Sequence, residues 1–334
     1  MTASSDPDVL LTTARQLSLR GAWDELRALL QREIVVVAGR ADLALLLAEA
    51  RMRLGETQAA RDLIAEAVPG IQRSGDGAAL RRALNLLGAA HFELGELEEA
   101  QAFFSQALDL ASGSGDDLVV ARTTNNLGAI QNIRGRRDQA LAHYRLAVPA
   151  YQRLGNALGL AESFHNMAIT FRDLRQLSDA DEYERRAIEF AAQHGDLRLQ
   201  AMAQVGRAEL CLLRGDADLA HAEARRAARV FGGIPDRVGE ADALRLAGAA
   251  RAAGGFSEEA LLALNEALEL ARSHGSALIE AEALRSRAEL HQSNRQLSEA
   301  REDMEAALAI YSRLSAEEEC ETLRRMLADV GGDR

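Results

Sequence analysis

NLLGAAHFELGELEEAQAFFSQAL (residues 85–108) and NNLGAIQNIRGRRDQALAHYRLAV (residues 125–148) decide the fold, because they align at a shift of 40 residues. Gly88 answers Gly128, Gly95 answers Gly135, and Ala100 and Ala107 answer Ala140 and Ala147. Followed outward, the register runs through most of the chain. Ala recurs at 60, 100, 140, 180, 220, 260 and 300, and again at 67, 107, 147, 187, 227, 267 and 307. Positions 48, 88, 128, 168, 208, 248 and 288 hold only Ala or Gly. Positions 55, 95, 135, 215 and 255 are Gly, with Arg175 and Arg295 in the remaining places. The spacing never slips, so no repeat carries an insertion; a fixed period of this length marks a repeat architecture.

Each period reads as a helical hairpin. Helix A ends at the Gly column, where a left-handed cap residue is favoured. Helix B follows at once, with Asp138, Ser178, Asp218 and Ser298 expected as its N-caps. The two Ala columns of helix B lie seven residues apart, on one face, and let helix B approach helix A. Leu87, Phe92, Leu94, Phe104 and Leu108 fill in around them in one unit, and Leu127, Ile130, Ile133, Leu141 and Tyr144 in the next. Between units the chain turns through Gly75-Asp76, Gly115-Asp116, Gly155-Asn156, Gly195-Asp196, Pro235-Asp236 and Gly275-Ser276, where the second residue is expected to cap the next helix A.

The expected organisation is one all-α solenoid of eight antiparallel hairpins: a disordered tail at 1–6, a shorter unit at 7–40, and units at 41–80, 81–120, 121–160, 161–200, 201–240, 241–280 and 281–320. A capping helix is expected at about 315–330, around Leu323, Met326, Leu327 and Val330. In the first unit Gly21 and Asp24 match the turn and the cap, while Leu26 and Glu33 replace the Ala pair, as suits an end repeat with one neighbour. Pro69 and Pro149 share one position of helix B. An interior Pro removes a backbone bond at about 3 kcal/mol, so a kink or early break is expected in both helices.

Composition narrows the classes. All 39 basic residues are Arg, against 51 acidic ones, for a net charge of −12; the Arg bias suggests a GC-rich bacterial genome. That charge opposes nucleic-acid binding, which needs clustered cations. No apolar run approaches the roughly 20 residues of a membrane span, and MTASSDPDVLL lacks the basic and apolar parts of a secretory signal. Two cysteines, Cys211 and Cys320, are too few for a disulfide scaffold; Cys211 is expected as a small buried core residue, and the location as cytoplasmic. No two of the seven His are four apart, and no His-Glu-x-x-His, phosphate loop or nucleophile elbow occurs. No metal, cofactor or catalytic activity is expected.

The two opening stretches resemble tetratricopeptide repeats, whose pattern is Leu-Gly in helix A, Gly at the turn, then Ala, an aromatic and Ala in helix B. The 40-residue form is similar to that of kinesin light chains, the spindle adaptor LGN and bacterial peptide-pheromone receptors of the Rap type. The resemblance implies a right-handed superhelix that binds a peptide or protein segment in a concave groove lined by helix A.

On that register the groove receives Arg82 and Asn85 from the third unit, Arg122, Asn125, Asn126 and Asn132 from the fourth, and His165, Asn166 and Arg172 from the fifth. Asn is a poor helix former, and its amide both donates and accepts, which suits gripping a peptide backbone. The resemblance implies that role for Asn126 and Asn166, whereas Leu86 and Gly206 depart from the pattern. The arginines either bind carboxylates of an acidic peptide or pair with Glu93, Glu162 and Asp173. Met202, Val205 and Leu212 continue the face as an apolar strip for an anchor side chain. The expected function is a non-catalytic scaffold binding a protein or peptide, acidic or with an apolar anchor; the alternatives are a ligand-responsive regulator and a structural subunit of a larger assembly. The sequence leaves the oligomeric state open.

Overall fold

The computed structural model describes residues 6–331, and every regular element among them is a helix. Residues 1–5, which carry most of the expected tail, lie outside the described residues, as do 332–334. In order the helices are α1 (Pro7–Leu19), α2 (Trp23–Arg32), α3 (Ile34–Ala38), α4 (Ala41–Arg53), α5 (Thr57–Ser74), α6 (Gly77–Glu93), α7 (Leu97–Ser112), α8 (Asp117–Ile133), α9 (Arg137–Arg153) and α10 (Ala157–Asp173). They continue as α11 (Leu177–Gln193), α12 (Leu197–Leu213), α13 (Ala217–Gly232), α14 (Arg237–Ala253), α15 (Ser257–Ser273), α16 (Ala277–Ser293), α17 (Leu297–Arg313) and α18 (Glu317–Gly331). From α4 onward the even helices up to α16 are helices A and the odd ones up to α17 are helices B.

The chain divides into two compact units, residues 1–123 and 124–334, with the division inside α8. In the first, α4 packs on α5 and α6 on α7, around Leu26, Leu30, Leu43, Leu47 and Ile64. In the second, each helix from α9 to α18 packs on the next, and the helices A also touch one another, α10 on α12, α12 on α14 and α14 on α16. The rows of helix A side chains therefore form a continuous face within that unit.

The A-to-B turn follows from one left-handed residue. In the third hairpin Gly95 has φ +76°, its N–H donates to Phe92 O at 3.0 Å, and the Glu96 N–H donates to His91 O at 2.9 Å. Arg175 and Arg295 hold the same place with φ +61° despite their side chains. This tight return starts helix B sooner than the capping residues suggested. Its N-caps are Arg136, Gln176, Asp216 and Gln296, so Asp138, Ser178, Asp218 and Ser298 stand inside the first turn. Of those four caps only Asp216 bonds through its side chain, accepting from the Leu219 N–H. The acidic residues in the first turn act on the helix dipole instead. The B-to-A turns match their reading better: Asp76, Asn156, Asp196 and Asp236 accept from the N–H three residues on, while Ser276 makes no such bond.

Close approach needs the small column. A methyl on Gly88 would sit 2.6 Å from the Phe104 ring, and one on Gly248 2.7 Å from Leu264. Volume is also exchanged between hairpins: Tyr151 fills the space above Gly159 and Phe231 that above Gly239, whereas Ala191 meets Leu199 in a shared cluster. Interiors are close-packed, so a large residue on one helix requires a small one opposite.

Three expectations are corrected. Of the kink or early break expected at Pro69 and Pro149, the early break does not occur: α5 and α9 run on past both. Both prolines are exposed and near the C-terminal end of the helix, where the lost backbone bond is open to water. The first unit holds the extra short helix α3, because the chain leaves α2 at Glu33 (φ −101°, ψ 29°) and restarts at Ile34. Cys211 is half-buried rather than a core residue, and that partial burial pushes its thiol up from the ordinary value.

Candidate functional site

In the first unit one of the two predicted lining arginines is already paired. Arg82 on α6 meets Glu49 on α4 at 2.7 Å. Glu93, considered as a partner for these arginines, accepts a hydrogen bond from the Thr57 hydroxyl at 2.7 Å. Asn85 is buried, and its Oδ1 has no hydrogen-bond partner. Arg122 is half-buried and has no ion pair among the described residues.

The second unit carries a denser network on α8 and α10. Asn125 is buried and anchors it: its Oδ1 accepts from the Ser163 hydroxyl at 3.0 Å and from the Asn166 amide at 3.3 Å, and its Nδ2 donates to Glu162 at 3.4 Å. Asn132 donates to Asp173 at 3.2 Å and accepts from the Thr170 hydroxyl at 2.9 Å. The Asn126 and Asn166 side chains remain half-exposed, and among the described residues the Asn126 side chain makes no hydrogen bond. Asn125 thus holds Asn166 in place, while the Asn126 side chain beside it is half-exposed.

Farther along, the arginines are committed to carboxylates of this chain. Arg172 bonds Asp173 at 3.0 Å and pairs with Glu209. Glu209 also meets Arg245 at 3.1 Å, and Arg245 pairs with Asp242 at 2.6 Å and Glu282 at 3.3 Å. Arg245 is buried. Burial works against its charge, but Asp242 and Glu282 more than offset it, so its pKa is raised. The ladder crosses α10, α12, α14 and α16. It removes Arg172 as a free carboxylate receptor, because a guanidinium already held by two carboxylates has few donors left.

His165 is buried, not part of an open face. Its Nδ1 lies 3.0 Å from the carboxylate of Glu184, on α11. Glu184 stands where the other units have Ile64, Phe104, Tyr144, Ala224, Leu264 and Met304, so a carboxylate replaces a core side chain. It fits because Gly206 has none: a methyl there would collide with the Glu184 carboxylate. Burial raises the Glu184 pKa, with His165, Arg172 and Arg207 opposing. The lone acid in that column was the signal that pointed to this pair, and the groove reading passed over it. In the apolar strip Met202 and Leu212 are half-buried, whereas Val205 is buried and offers no surface.

Stacked hairpins, a left-handed turn residue and Gly facing an aromatic define a class, the helical-hairpin repeat proteins. Residues 39–112 and 119–193 match the tetratricopeptide repeat family, and the chain carries tetratricopeptide repeats there. Its fold is similar to that of Rap protein complexed with Competence and Sporulation Factor, at 14% identity and a TM-score of 0.66 over 97% of each chain. It is also similar to the apo form of the quorum sensor NprR from B. thuringiensis, at 17% identity and a TM-score of 0.60, over 78% of this chain and 75% of that one. A third likeness is to a STAND (signal transduction ATPase with numerous domains) protein with a tetratricopeptide repeat sensor from Pyrococcus horikoshii. It has 14% identity and a TM-score of 0.52, over 79% of this chain and 42% of that one. A search of curated proteins finds no match. At these identities the likeness is one of fold.

Proposed function

We propose that the chain binds an extended peptide or protein segment on the helix A face of its second unit, with Asn126 and Asn166 gripping the backbone. The observation that carries this reading is the asymmetry among the asparagines. Asn125 is buried and spent on Ser163, Asn166 and Glu162, while Asn126 stands half-exposed beside it with its polar atoms unused. A free amide offers two donors and one carbonyl acceptor, the complement of a peptide bond. Met202 and Leu212 add half-exposed apolar surface on the same run of helices A.

Rap and NprR, to which the fold is similar, support a regulatory variant of this reading: the Rap structure is a complex with Competence and Sporulation Factor, and NprR is a quorum sensor. In that variant the captured segment is a signal. The acidic-peptide preference weakens, since Arg82 and Arg172 are neutralised by Glu49, Asp173 and Glu209. Binders selected from a random peptide library should lose at least tenfold in affinity on the Asn126→Ala/Asn166→Ala variant, measured by titration calorimetry. Equal affinity for both proteins would remove the asparagine grip.

A further inference from the structure

Within the second unit, the last helix reaches back to the first complete one. Glu318, in the first turn of α18, pairs with Arg137, at the start of α9, at 2.6 Å. The two partners differ in setting: the Arg137 side chain is 10% exposed and that of Glu318 59%. The approach passes over Gly135, where an added methyl would stand 3.6 Å from Glu318 Cβ and still closer to its carboxylate. Beside the pair lies an open cleft of about 450 Å³, lined by Arg136, Asp138, Gln139, Asp173 and Leu174 as well.

Arg137 has a second carboxylate within reach, Asp173 at 3.8 Å. Asp173 is also the partner of Asn132 at 3.2 Å and of Arg172 at 3.0 Å. One side chain therefore stands between the polar network of the helix A face and the Arg137–Glu318 contact. Burial raises the pKa of Glu319, next to Glu318, and the nearby Arg137 charge opposes that rise.

We propose that Arg137 and Glu318 form a latch that holds α18 on the turn of the fourth hairpin, and that Asp173 couples it to the helix A face. The latch is weak by construction. A pair with one exposed partner contributes little and is screened by salt, so a small bias opens it. The coupling rests on the proposed binding face: a ligand that draws Asn132 or Arg172 away from Asp173 frees that carboxylate to compete with Glu318 for Arg137. The latch itself does not depend on that face.

Hydrogen exchange on the full chain, without ligand, tests both parts. Glu318→Arg should raise exchange at least threefold in α18 and in residues 134–139, and Glu318→Gln should raise it less. Glu317→Arg makes the same charge change one residue away on an exposed side chain and should leave both segments unchanged. Added salt should move the wild-type protein toward the Glu318→Arg pattern. Asp173→Asn should lower exchange in α18, because Glu318 then has Arg137 to itself. No difference between Glu318→Arg and Glu317→Arg would overturn the latch. A rise in α18 exchange on Asp173→Asn would overturn the coupling. Failure of either leaves the Asn126/Asn166 titration to be judged separately.

Discussion

Glu184 on α11 holds its carboxylate 3.0 Å from Nδ1 of His165 on α10, inside the helix stack, with Glu184 only 1% exposed. An acid at a core position makes stability depend on pH. Burial raises its pKa above the ordinary 4.5, and the nearby cations offset this only in part. The folded chain then binds this proton more tightly than the unfolded chain. The stability Glu184 contributes is fully present below pH 4.5 and is lost as pH rises through the folded-state value. Chemical denaturation should show Glu184→Gln gaining on the wild type as pH rises from 4.5 to about 8. Parallel stability curves for the two proteins would refute this.

Gly206 is required by that carboxylate. Gly206→Ala should lose about 1–3 kcal/mol, the usual cost of overpacking, despite the better helix propensity of Ala. Glu184→Ala combined with Gly206→Ala should recover most of the loss, a coupling that a double-mutant cycle reads directly. Additive losses would mean that the two side chains do not compete for space.

Arg245 is the buried cation of the ladder, facing Glu209, Asp242 and Glu282. Arg245→Met fills similar volume but leaves three carboxylates without their cation, and removing one partner of a buried pair costs about 3–5 kcal/mol. Urea denaturation should show a loss of that order. A change under 1 kcal/mol would mean that water already compensates the acids.

Arg175 and Arg295 occupy left-handed turns at φ +61° with exposed side chains. A left-handed L residue costs roughly 1–2 kcal/mol. Arg175→Gly and Arg295→Gly should each raise stability by up to about 1 kcal/mol, once the greater chain entropy of unfolded Gly is subtracted. Thermal melts of the single variants check this, and a fall in either would contradict it.

The hairpin frame was legible because it rests on excluded volume. Ala100, Ala140 and Gly88 sit where two helices touch, and only small residues fit, so the period is written directly in residue size. Turn glycines were legible for the same reason, through φ. Helix B caps were misplaced by two residues because Asp138 and Asp218 look alike as caps and as first-turn acids; the turn geometry at Gly135 decides between them. The polar face was half legible. Asn125 and Asn126 are adjacent and chemically identical, and only packing makes one an anchor and leaves the other free. Arg172 read either as a receptor or as a partner of Asp173; it does pair with Asp173, and its further partner Glu209 was missed because it lies in the next hairpin, far off in sequence. Glu184 was in plain view, as the one acid in a column of Ile64, Phe104, Tyr144, Leu264 and Met304.

The central claim is that the partner lies along the helices A of the second unit, and site-specific photo-crosslinking in lysate of the native organism tests it most directly. A benzophenone side chain placed at Ala129 on α8 or Met202 on α12 should capture the same peptide or protein segment, and capture should fall with Asn126→Ala/Asn166→Ala. The same probe at Leu262, which is 71% exposed on helix B α15, should capture none of it. Capture from position 262 with none from 129 and 202 would contradict the account.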